Sequence, residues 1–333
     1  MTTLGTLIVS FFRNYLANQK GFSANTIASY SDCIRLLLSY SCKRLGVSCD
    51  KLGLDSITDE LILDFLDHLE QERENAPTTR NQRLGAIKTF FRFLALQEPT
   101  ATAVCERVCA ISVKKAEHKI IGTLDNNETK AILNATQANA ETLMGARDQA
   151  LLLMLYNTGA RVQELVDANV ADVRMEAPEQ VCLTGKGKKQ RVVPLYEETT
   201  KAIRHYLTLR KAAGIKLDAL FVNARGQRIT RFGIGHIVSL YAGLAGKSCP
   251  SIEKVNVTPH TFRHTIALHL IQSGVDITVV KEWLGHADIK TTSLYVDINI
   301  ETKRRALEAC PPPVASQTPE AQTPRWHNPA VLA

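Results

Sequence analysis

Between Gln180 and Tyr196 the hydrophobic pattern of this chain changes its period. "QVCL" and "RVVPLY" are short β-type runs, and the intervening "TGKGKKQ" is rich in glycine and lysine. Two such runs around a glycine-containing turn read as a β-hairpin, here with an unusually basic tip. Elsewhere apolar residues recur three and four apart, the spacing of helices that bury one face. The expected fold is therefore mainly α with a small β-hairpin or sheet.

The first hundred residues read as helices only. "TLIVSFFRNYLANQ" and "SANTIASYSDCIRLLLSYSCKRL" carry helical periodicity, and Ser23 is placed to cap the second. "TDELILDFLDHLEQERE" has an acidic outer face and can cap on Thr58. Its acids, from Asp59 to Glu74, are expected to face solvent or a neighbouring subunit. In "TTRNQRLGAIKTFFRFLALQ" the residues Leu84, Ile87, Phe90, Phe91 and Leu94 point inward, with Arg80, Arg83, Lys88 and Arg92 elsewhere. Those cations form either a solvated face or a helix laid on DNA phosphates.

Residues 1–97 are thus expected to form one helical domain. Residues 98–120 are expected to be a linker of extended or short helical pieces. A second domain spans 121–310. It opens with "LDNNETKAILNAT" and "ETLMGARDQALLLMLYNTG", the latter capped by Gly159, and "ARVQELVDANVADV" follows as a further short helix. After the hairpin, helices are expected from "EETTKAIRHYLTLRKAA" to about Cys310. Residues 311–333 hold six of the twelve prolines and no periodicity, the composition of a disordered tail.

No apolar run reaches the ~18 residues of a membrane span, and no secretory leader is visible at the N-terminus, so a cytoplasmic protein is expected. The eight cysteines are scattered without a CxxC pair, which points to reduced thiols rather than disulfides or zinc. Residues 1–110 carry 12 basic and 12 acidic side chains, so the whole formal charge of +7 belongs to the rest. A basic second domain suits an anionic partner.

Four short segments of that domain hold candidate chemistry. "TGARVQEL" sets Arg161 and Glu164 three apart. The hairpin turn presents Lys186, with Lys188 and Lys189 beside it, but lacks the spacing of a nucleotide-binding phosphate loop. "TPHTFRHTIALHLIQSG" starts a helix after Pro259 and places His260 and Arg263 one turn apart. "LGHADIKTTSLY" places His286 nine residues before Tyr295. Alone, each has an ordinary explanation: a surface ion pair, a solvated turn, a helix cap, a buried tyrosine.

Together and in this order, the segments resemble the catalytic pattern of the tyrosine recombinases, the phage-integrase and Xer-like site-specific DNA recombinases. The resemblance is strong from Leu124 to Ala309, and looser over residues 4–97, which correspond to the family's helical core-binding domain. It implies Tyr295 as nucleophile, Arg161 and Arg263 as phosphate ligands, and Lys186 as proton donor to the leaving 5′-oxygen. His260 would be the base or hydrogen-bond partner, and His286 would bond the phosphate or orient the nucleophile. Glu164 would hold an arginine or His260 in place.

The chemistry needs these residue types. Attack on a phosphodiester builds charge on its non-bridging oxygens, which planar, permanently charged guanidinium groups can meet with paired donors. A tyrosine with an ordinary pKa of ~10 needs a base and nearby cations to react as phenolate. No carboxylate cluster suggests a metal site, so neither a metal nor another cofactor is expected. The resemblance further implies double-stranded DNA as partner, a C-shaped clamp of two domains, and four copies in a synapse, possibly with a second recombinase. The segment "VDINIETKRRALEA" would be the helix that docks on a neighbouring copy. Three readings compete with a mobile-element recombinase: a Xer-like dimer resolvase, a catalytically silent DNA-binding protein and a type IB topoisomerase.

Overall fold

The computed structural model describes residues 3–116 and 122–285, without the side chain of Lys186. Two compact units, Met1–Lys119 and Ile120–Ala333, divide the chain. Of the sequence expectations, those for His286, Tyr295, the helix after Tyr295 and the proline-rich tail lie outside the described residues.

The first unit begins with α1 (Leu4–Ser10), which continues to Gln19 as a wider helix where the Lys20 N–H reaches back five residues to the Tyr15 carbonyl. In α2 (Ala24–Leu45) the Ser23 hydroxyl accepts from the Thr26 N–H, and Gly46 closes the far end at φ 66°. Thr58 caps α3 (Asp59–Gln71) in the same way. Pro77 opens α4 (Pro77–Gln97), where a missing N–H costs nothing. Phe11, Phe65, Phe90 and Phe91 fill the shared core. Full burial of such a side chain contributes ~1.5–3 kcal/mol.

The segment from residue 98, expected to be a linker of extended or short helical pieces, packs its helical part on this unit. After one turn at Pro99–Ala101 it forms α5 (Thr102–Ala110), and Cys105 and Val108 are buried in this unit's core. Nine residues with two small buried anchors leave little periodicity to read.

Arg80 departs from expectation. It is 4% exposed, with Nε 3.4 Å from Glu70 Oε2. It stands four residues before Leu84 and therefore shares the buried stripe of Leu84, Ile87 and Phe91. Its charge meets a carboxylate of this unit rather than an outer partner. Arg83 is half-buried, its Nη1 donating to Asn75 Oδ1 at 2.5 Å, whereas Arg92 is exposed and Lys88 half-buried. Three of the five acids of α3 pair within the unit, Asp59 with Arg107 at 2.8 Å, Asp64 with Arg44 at 3.4 Å, and Glu70 with Lys114. Glu60, Asp64 and Asp67 face solvent as expected.

The second unit contains α6 (Asn126–Ala135), α7 (Leu143–Thr158) and α8 (Val162–Asp167). An antiparallel sheet of β1 (Val173–Arg174), β2 (Gln180–Thr184) and β3 (Gln190–Pro194) follows, in that order. Then come α9 (Glu197–Ala212), α10 (Arg231–Gly246), α11 (Pro259–Gln272) and α12 (Ile277–Leu284). The core helix is α7: Ala146, Ala150, Leu151, Leu152, Met154 and Leu155 are all buried, as in a helix covered on every side.

The small hairpin or sheet expected in this unit is present, and β1 joins the hairpin to give it three strands. Two local expectations need correction here. The helix expected to run on to Val173 stops at Asp167, because Arg228 Nη1 donates to the carbonyls of Val166 (2.7 Å) and Ala168 (3.2 Å). Helix is interrupted again between α9 and α10, where isolated bridges pair Asn169 with Ala219 and Val222 with Arg228.

Candidate active site

The end of α7 sets the first arginine. Gly159 closes that helix at φ 56°, a conformation that strains residues with a β-carbon. A β-carbon there would also lie 2.5 Å from Leu284 Cδ2 and 2.9 Å from Ile266 Cγ2. Two residues later Arg161 enters α8. The Glu164 carboxylate turns back onto it, with Oε2 accepting from the Arg161 N–H at 2.9 Å and Oε1 from Arg161 Nη1 at 3.0 Å. The Arg161 side chain remains 38% exposed, and that of Glu164 only 3%.

The second arginine comes from α11, which starts at Pro259 on a Thr258 cap. Arg263 lies one turn in and is buried. Its Nη1 donates to the Gly159 carbonyl and its Nη2 to the Leu284 carbonyl, each at 2.6 Å. These two bonds set the plane of the guanidinium. His260, in the first turn, is exposed.

The hairpin abuts this group. A β-carbon on Gly185 would lie 3.0 Å from Glu164 Oε1 and 3.9 Å from Arg161 Nη1, so the backbone leading into Lys186 runs beside the first arginine. Lys188 and Lys189 are exposed on the tip. The structure thus gathers Arg161, Glu164, His260, Arg263 and the Lys186 backbone into one locality.

A family model for the phage integrase family matches residues 122–302, and one for the phage integrase N-terminal SAM-like domain matches residues 9–98. This chain belongs to the phage integrase family of tyrosine recombinases. It is 35% identical to the integrase/recombinase y4rC of Sinorhizobium fredii, over 93% of this chain and 92% of that protein. It is 34% identical to the tyrosine recombinase XerC of Roseiflexus castenholzii, over 93% and 94%. The same fold occurs in the XerH recombinase bound to a palindromic difH substrate, with TM-score 0.67, 23% identity and coverage of 85% and 78%. It occurs also in the Tn1549 transposon integrase with transposon right end DNA, with TM-score 0.69, 18% identity and coverage of 92% and 99%.

Electrostatics in this recombinase favour a neutral histidine beside cations. Partial burial, then the charges of Arg263 and Arg161, hold the His260 pKa below its ordinary value. Burial, His260 and Arg263 lower His264, the next residue on that face, to about 4. Glu164 responds the other way. Burial pushes its pKa up, but the hydrogen bond and charge of Arg191, then the N–H and side chain of Arg161, outweigh burial and bring it below the usual carboxylate value.

Arg191 is the residue the sequence reading missed. It lies on β3 opposite Leu183, and its side chain is 10% exposed. Its Nη2 donates to Glu164 Oε2 at 2.7 Å and its Nε to the Trp283 carbonyl at 2.9 Å. A signal was present. Arg191 sits two residues before the buried Val193, hence on the inward face of its strand, where a charge needs a partner.

Proposed function

We propose that this recombinase cleaves and rejoins DNA at specific sites through a 3′-phosphotyrosine intermediate. One observation carries the reading: Arg161 and Arg263, from different helices, converge with His260 beside the hairpin that bears Lys186. Tyr295 Oη attacks the scissile phosphorus while His260, neutral near pH 7, takes or shares the phenolic proton. Arg161 and Arg263 offset the charge that develops on the non-bridging oxygens, ordinarily the largest catalytic term. The 5′-oxygen leaves with a proton from Lys186. Attack by a new 5′-hydroxyl then reverses the steps and releases Tyr295, so the energy of the broken bond is conserved. His286 supports the phosphate or the nucleophile, and Glu164 supports Arg161.

Double-stranded DNA is the partner, gripped through Lys188, Lys189 and exposed cations of the first unit such as Arg92. Four copies act together in the synapse. A mobile element is the favoured source, because the proline-rich tail and the segment "YVDINIETKRRALEAC" depart from the Xer pattern. Dimer resolution of the Xer kind is the second reading.

The experiment is a nicked suicide substrate built on inverted repeats found in DNA flanking the gene. A covalent protein–DNA adduct is expected, with the modified peptide mapping to Tyr295. Tyr295→Phe should abolish it, and an adduct that survives that change would sink the assignment.

A further inference from the structure

We propose that Arg191 is a positioning residue for this chemistry: it holds Glu164 and the end of α12 so that Arg161 keeps its charge for the scissile phosphate. The proposal rests on the recombinase reading above, and it assigns a function to a side chain that the catalytic pattern does not include.

Three successive carbonyls close α12, and three arginines from different elements each take one. Arg191 Nε donates to Trp283 O at 2.9 Å, Arg263 Nη2 to Leu284 O at 2.6 Å, and Arg161 Nη2 to Gly285 O at 3.4 Å. The C-terminal end of a helix carries partial negative charge and unpaired carbonyls, so cations gather there. Gly285 follows at φ 64°, and a β-carbon on it would lie 3.1 Å from Arg191 Cδ and 3.2 Å from Arg191 Nη1. The turn is therefore pressed against the Arg191 side chain, immediately before His286 in the chain.

Glu164 is one buried anion between two guanidinium groups, with Oε1 on Arg161 and Oε2 on Arg191. The trio carries one net positive charge. Without Arg191, Glu164 and Arg161 would be a neutral pair, and Arg161 could collapse onto both carboxylate oxygens. Arg191 thus prevents an ion pair from cancelling the cation that the phosphate requires.

Its place on β3 adds a mechanical link. The strand returns from the tip that bears Lys186, and farther along the Pro194 carbonyl accepts from Asn157 Nδ2 at 3.0 Å. The Trp283 indole donates to the Asn157 carbonyl at 3.1 Å. Hairpin, α7 end and α12 end are therefore tied at two places, and Arg191 is the tie nearer the lysine.

The test compares Arg191→Met, which keeps bulk and loses charge, with Arg191→Lys. Displacement of a reacting group by about 1 Å can cost ~10²-fold, and Arg191→Met should lose cleavage by about that factor at unchanged site affinity. Arg191→Lys should recover part of it. On DNA with a neutral methylphosphonate at the scissile position the loss should shrink, because less charge awaits Arg161. A loss of equal size on both substrates, or wild-type cleavage by Arg191→Met, would overturn the proposal. Hydrogen exchange on the free protein supplies a readout without DNA. Arg191→Met should speed exchange in peptides covering 161–167 and 277–285, and unchanged protection there also overturns it. Wild-type protein that forms no adduct would instead refute the recombinase reading, and the exchange result would still decide whether Arg191 holds Glu164 and α12.

Discussion

Arg263 and Gly159 lock together: Arg263 Nη1 donates to the Gly159 carbonyl at 2.6 Å, and Gly159 has no room for a side chain because Leu284 fills it. The same guanidinium takes the Leu284 carbonyl. This buried arginine, a phosphate ligand in the proposed chemistry, is thus also the bolt between the ends of α7 and α12. Gly159→Ala would place a β-carbon at positive φ and into Leu284. Left-handed backbone costs ~1–2 kcal/mol and overpacking typically ~1–3 kcal/mol more. Denaturant unfolding should show a loss of that order, with cleavage reduced further than stability alone explains.

Arg263→Lys should fail for a geometric reason. One ammonium cannot reproduce a planar fork that bonds two carbonyls from different elements. Loss of a single charge-stabilising donor typically costs ~10²–10³-fold, and cleavage should fall by that much while filter binding to the site changes little. Cleavage by Arg263→Lys at the wild-type rate would remove Arg263 from the chemistry.

The pH dependence of stability has a defined sign. His264 takes up a proton near its ordinary value of 6.5 when unfolded, but only near about 4 when folded. In that window the unfolded state binds more protons, so stability present above pH 6.5 is lost as pH falls. The slope from one such group is ~1.4 kcal/mol per pH unit. Urea titrations between pH 7 and 4 should show the decline, and His264→Asn should flatten part of it. A slope identical in the variant would assign the decline to other groups.

Much of this molecule could be read from its residues, for physical reasons visible in the structure. Ser23, Thr58 and Gly159 stand at helix ends where a hydroxyl acceptor or a left-handed residue is needed, and those signals are local. Arg161, Glu164, His260 and Arg263 were legible as a set, because spacing and order carry information that no single one holds. Features decided by distant partners were not legible. Strand β1 is two residues long and exists because β2 pairs with it. Helix α8 ends where Arg228, some sixty residues on, takes its carbonyls. Arg191 hid inside a basic hairpin, where one more cation reads as solvated until Glu164 is placed beside it.

Arg80 and Arg92 lie on one helix whose cations could form either a solvated face or a DNA-facing one, and the structure separates them. Arg80 is buried against Glu70, whereas Arg92 is exposed. Breaking a buried ion pair costs up to ~3–5 kcal/mol. Lys114, which also reaches Glu70, should soften the loss in Arg80→Ala. That variant should therefore lower the unfolding midpoint yet leave the salt dependence of DNA binding alone. Each phosphate contact contributes ~0.9 to the slope of log affinity against log salt. Arg92→Ala should reduce the slope by about that amount without changing the midpoint. If Arg80→Ala, still folded, reduced the slope and Arg92→Ala did not, the phosphate-facing side of α4 would have to be redrawn around the buried residue.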